Sequence, residues 1–111
     1  MQLKFLDPGQ LRTQLTLEQP VETQDGQGGL TLTWNTLATV WALVEPMAGR
    51  GAVFAERADV LSTHRIWLRH RGDVNRGMRL GNNGRIYRID TVEDADGSRR
   101  YLVIKATEVF A

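Results

Sequence analysis

Only two side chains in this sequence, His64 and His70, change charge near neutral pH without help from their surroundings, which makes them the first candidates for acid-base chemistry. They alternate with Ile66 and Leu68, so all four fall on one face of a strand and the histidines read as residues at the rim of a core. Six residues of strand span roughly 20 Å. That is too far for two ligands of one metal ion, and no third ligand stands out. The chain has no cysteine, which excludes thiol nucleophiles, thiolate metal sites and disulfides together. Neither a catalytic constellation nor a cofactor or metal site is expected.

The opposite face of the same stretch carries Arg65, Trp67, Arg69 and Arg71. Arginines beside an indole suit three purposes. They can bind phosphates while the ring stacks on a base, they can form the hot spot of a protein interface, or they can simply be a solvated face. Gly26-Gln27-Gly28-Gly29 has the glycines of a phosphate loop, but a strand pattern follows it where a nucleotide site needs a helix N-terminus, so it reads as a hairpin turn. Glu93, Asp94 and Asp96 lack the ligand-rich loop of a calcium site and read as an exposed hairpin tip.

These candidates sit in a strand-and-turn sequence. Leu11, Thr13, Leu15 and Leu17 alternate with polar residues, predicting a first strand that Pro20 ends. After the glycine turn, Leu30, Leu32 and Trp34 share one face of a second strand, predicting a hairpin that buries leucine and tryptophan. The nearly unbroken apolar run from Leu37 to Val44, with Trp41 at its centre, predicts a strand covered on both sides and stopped by Pro46. Residues 46–62 break the pattern and predict a long loop in which a short helix fits. A strand over 63–71, a short one over 78–80 and a closing hairpin about Asp94-Ala95-Asp96-Gly97 complete the order. The expected fold is all-β: one domain over residues 1–111, a small barrel or sandwich with a core that includes Leu15, Leu17, Trp34, Trp41, Ile66, Leu68 and Tyr101.

Composition is consistent with that size of core, since 111 residues with 41% apolar content fill one domain. The opening residues lack the apolar centre of a signal peptide and no run is long enough to span a bilayer, so a soluble intracellular protein without membrane contact is expected. The formal charge is only +1, but its distribution is uneven. Between Arg65 and Arg88 seven arginines face Asp73 alone, whereas Asp90, Glu93, Asp94 and Asp96 crowd the next ten residues. Such asymmetry favours charge-complementary association of copies or partners.

With these elements in order, the sequence resembles the head-tail joining (head-closure, or stopper) proteins of long-tailed phages, prophages and gene transfer agents. The resemblance rests on the opening Gln10-Leu11-Arg12 before the first strand and on Trp34. Its best single match is Val40-Trp41-Ala42-Leu43-Val44-Glu45-Pro46, similar to the family's tryptophan-alanine-x-valine-glutamate-proline signature. Thr63-His64-Arg65-Ile66, Gly77-Met78-Arg79-Leu80 and Ile86-Tyr87-Arg88-Ile89 follow in the family's order.

The resemblance implies a β-barrel subunit of a ring in the particle neck, assembled in the bacterial cytoplasm. Its partners would be further copies of itself, the portal or adaptor ring, the tail terminator or tail tube, and packaged double-stranded DNA passing through the channel. It also implies that the 46–62 loop, with Pro46, Gly49, Arg50, Val53, Phe54 and Arg57, faces that channel. Arg65, Trp67, Arg69 and Arg71 then read as a partner-binding face. A small nucleic-acid-binding barrel that uses the same arginine-tryptophan face is the alternative.

Overall fold

The computed structural model describes residues 8–47 and 62–109. A single 3-10 turn, Pro8–Gln10, precedes six strands: β1 (Thr13–Gln24), β2 (Leu30–Pro46), β3 (His64–Arg69), β4 (Arg79–Asn82), β5 (Arg85–Asp94) and β6 (Tyr101–Val109). All neighbours are antiparallel. The order β1-β2-β3-β6-β5-β4 returns to β1 through Thr16–Glu18 against Arg79–Gly81, so the sheet closes on itself, though not as a regular barrel. The all-β expectation holds.

Alternation sets the core. Leu15 and Leu17 of β1, Val40 and Ala42 of β2, Ile66 and Leu68 of β3, Leu80 of β4, Tyr87 and Ile89 of β5, and Leu102, Ile104 and Ala106 of β6 all point inward and are buried. Each is one of a period-two set, as a sheet with one dry face requires. Two tight turns fix the registers. Asn83 and Gly84 both take positive φ (50° and 85°), the geometry of a two-residue hairpin loop, and they join β4 to β5. At the other hairpin, Asp94 accepts the amides of Gly97 and Arg99 (both 2.9 Å), which spends its carboxylate on the turn.

The first hairpin departs from the expectations. Pro20 does not end β1, which continues to Gln24 with Pro20 opposite Trp34. Among the described residues the strand beyond Glu18 pairs with β2 alone, and on such an edge a missing amide interrupts no further described ladder. The two strands expected over 30–35 and 37–44 are one strand of 17 residues. Leu17 pairs with Ala38 but Glu18 pairs with Thr36, so Leu37 is an extra residue, a β-bulge.

That bulge decides what the ribbon exposes. A one-residue slip moves every side chain beyond it to the other face. Leu30, Leu32 and Trp34 therefore continue the outside of the barrel instead of its inside, and Leu30 and Leu32 are 62% and 53% exposed. The expected buried leucine-tryptophan face is thus an outer one, and Trp34 is only half-buried. Trp41 is also corrected: it points away from the core set by Val40 and Ala42 and is 56% exposed. Tyr101 lies on the outer face, half-buried against a second, smaller cluster. The molecule is elongated, with extents of 53 × 34 × 26 Å.

Candidate functional site

The outer face of β2, β3 and β6 is where the chain presents chemistry. Strand register brings Leu43 beside Trp67 and Trp67 beside Val103, with Arg69 beside Tyr101. The segment after the first turn lays Leu11 over this face, so Leu11, Leu43, Ala95, Tyr101 and Val103 close around the Trp67 ring, which is only 3% exposed. The indole Nε1–H donates to Glu45 Oε1 at 2.8 Å. A ring buried and hydrogen-bonded in this way cannot stack on a nucleotide base.

The four residues expected to form one face are thereby separated. Arg65 is half-buried within the sheet, Trp67 is the centre of the small outer core, and Arg69 is exposed with its guanidinium 6.0 Å from the Tyr101 ring centroid. Arg71 lies past the end of β3 and is bound in two-point fashion to Asp73 (3.0 and 2.9 Å). This pairing holds the Asp73 carboxyl below its usual range. Of the four, Arg69 is the one left facing solvent on the strand.

Beside it the structure places a residue that sequence reasoning put in the core. Trp41 lines two adjoining concavities, one with Leu11, Arg12 and Arg69, the other with Thr39, Val40, Leu68, Arg69, His70 and Arg71. An exposed indole between two exposed arginines has the composition of an interface hot spot. The period of β2 contained the signal, because Val40 and Ala42 cannot both face the core if Trp41 does.

A polar cluster lies elsewhere on the barrel. His64 packs edge-on against Tyr87 (centroids 4.9 Å apart, planes at 69°) and reaches Glu108 at 4.0 Å. Glu108 in turn receives two hydrogen bonds from Arg85 (2.8 and 2.9 Å), and this pairing lowers its carboxyl. Burial holds the His64 imidazole below its ordinary value; Glu108 opposes that shift and Arg85 adds to it. Thr63 Oγ1 is 2.8 Å from His64 Nδ1 and accepts the Glu108 amide at 2.7 Å. Every group here is engaged with another, which suits a clasp across β3, β5 and β6. His70 is exposed and apart from it. Among the described residues no group of three or more His, Asp or Glu side chains is placed to hold a metal ion.

Of the expected channel residues, Pro46 is the last residue of β2, while Gly49, Arg50, Val53, Phe54 and Arg57 lie outside the described residues. The two ends of that segment meet, the Met47 amide donating to Thr63 O at 2.8 Å. Ser62, the last residue of the expected 46–62 loop, is buried and donates to Asp90 Oδ2 at 2.6 Å, as does Thr107.

The closed β-sheet thus carries an outer aromatic-arginine concavity and a projecting ribbon with exposed leucines. The phage head completion protein family model matches residues 6–109. This chain belongs to that family. Among solved structures, it is similar to a chain in the virion of a native gene transfer agent particle, with 29% identity, a TM-score of 0.65, and coverage of 90% of this chain and 96% of that one. It is also similar to protein SF1141 from Shigella flexneri 2a, whose solution structure shares 29% identity with a TM-score of 0.69 over 93% of this chain and 96% of the other. Comparison with curated protein sequences finds no match.

Proposed function

We propose that this chain is a structural head-tail connector: copies form a ring between the portal or adaptor and the tail, close the exit channel for packaged DNA and present the surface on which the tail docks. The observation that carries this reading is the match to the head completion family over residues 6–109, together with the similarity to a component of a gene transfer agent virion. The geometry supports it. Exposed Trp41, Leu30, Leu32 and Arg69 lie on the outside of a closed sheet, where a subunit meets neighbours. The role requires no chemistry of the chain's own.

Electron microscopy of the particle neck tests the proposal. Repeated copies of this barrel between portal and tail are expected, and particles lacking the chain are expected to lose packaged DNA and to remain tailless. Finding the chain in the capsid shell or along the tail, or finding tailed, DNA-filled particles without it, overturns the connector role.

A further inference from the structure

The ribbon and the Trp41 concavity are two unsatisfied surfaces of opposite character on one strand. On the ribbon, Leu32 and Glu22 stand opposite each other in register, and both are exposed, next to exposed Leu30. From Thr13 to Met47 the chain contains no lysine or arginine, so the ribbon is acidic and apolar. Its Glu18 is already paired with Arg79, whereas Glu22 makes no ion pair among the described residues. At the concavity, exposed Trp41 lies between Arg12 and Arg69, and Arg69 makes no ion pair among the described residues either. That surface is basic and apolar.

The two cannot cover each other within one molecule. Leu32 and Trp41 are nine residues apart on a continuous strand, about 30 Å at the rise of a β-strand. A two-stranded ribbon that exposes leucines is moreover marginal on its own in water and gains from a surface to lie on.

We infer that the ribbon of one copy docks on the Trp41 concavity of the next, with Leu32 against the Trp41 ring and Glu22 against Arg69. The occupant is a second copy of this chain, because the acidic, apolar ribbon knob and the basic, apolar hollow complement each other in charge and share apolar character. Knob and hollow are different surfaces, so the contact is head-to-tail, and repeated with a closing rotation it generates a ring. The inference rests on the ring reading above and assigns the contact that joins its subunits.

The absence of cysteine makes the test direct. Particles are assembled from the full chain carrying both Leu32→Cys and Trp41→Cys, oxidised, and run without reductant. A ladder of covalent multimers that reductant collapses is expected, with none from either single variant. Both positions are exposed, so the fold should tolerate them. As a second measurement, Glu22→Arg should reduce ring formation several-fold, and combining it with Arg69→Glu should restore it.

Disulfide dimers from Leu32→Cys alone would show ribbons pairing with each other and overturn the contact. So would crosslinking of the Leu32→Cys chain to a different virion protein. Necks that show repeated copies but yield no ladder would overturn the contact and leave the ring standing. A neck holding a single copy of the chain would overturn both.

Discussion

The guanidinium of Arg79 lies 4.2 Å from the centroid of the Trp34 ring while its Nε–H donates to Glu18. One side chain from the short strand β4 thus holds both strands of the ribbon at the point where they leave the barrel. Stacked cation-ring contacts contribute roughly 0.5–2 kcal/mol, more where water is excluded. Trp34→Ala is expected to speed amide exchange over residues 19–36 while lowering the global melting temperature little. Unchanged exchange there would show that the ribbon is held by its own ladder alone.

Trp67 is expected to dominate stability on the outer face. Trp67→Ala should cost about 3–5 kcal/mol, the range for truncating a buried aromatic. Trp67→Phe keeps most of the ring but leaves Glu45 without its donor, a loss of about 1–3 kcal/mol. Denaturant midpoints should fall from wild type through Trp67→Phe to Trp67→Ala, and equal midpoints for wild type and Trp67→Phe would deny the hydrogen bond any weight.

Trp41→Ala should do the reverse. At 56% exposure the ring contributes little to folding, and the change in stability is expected to stay within about 1 kcal/mol. Assembly should suffer instead, measured as incorporation of the variant into particles. A large drop in melting temperature would place Trp41 in a core after all.

Asp90 is the extra residue where β5 shifts register between Ile89 and Thr91, and it gathers Ser62, Thr107 and Arg88. Asp90→Ala strands two hydroxyls and should destabilise the fold by about 1–3 kcal/mol. Thermal unfolding checks this, and Asp90→Asn should recover part of the loss by keeping an acceptor.

Stability should also depend on pH through His64. Because burial depresses its proton affinity in the fold, the unfolded chain binds the proton more readily, and acid favours unfolding. The contribution is full above the ordinary histidine pKa of about 6.5 and declines as pH falls below it. Glu108, also depressed, adds a second loss at lower pH, through the carboxylate range. Melting temperatures between pH 7.5 and 5.5 should fall in wild type and fall less in His64→Gln. Parallel profiles would assign the dependence to other groups.

Much of the fold was legible in the sequence because period two is a local property. Leu15 and Leu17, then Ile66 and Leu68, announce both a strand and its inner face, and each pair is buried as read. Asn83-Gly84 and Asp94 to Gly97 mark turns because positive φ and side-chain capping are chosen by residue type. The order of pieces from Leu11 through Val40-Trp41-Ala42 to Ile86-Tyr87-Arg88 likewise belongs to the chain alone.

Which side of a strand meets water is not local, and there the tertiary structure decided. Leu30, Leu32 and Trp34 have the alternation of a buried face. A single extra residue at Leu37 turns them outward, and nothing in Thr36-Leu37-Ala38 announces a bulge. Trp67 and Trp41 exchanged their expected places for a related reason. Both are outward residues of adjacent strands, but Leu11, brought over from the start of the chain, covers one and stops short of burying the other. Burial depends on what arrives from elsewhere in the chain, and that is set by sheet closure and not by spacing.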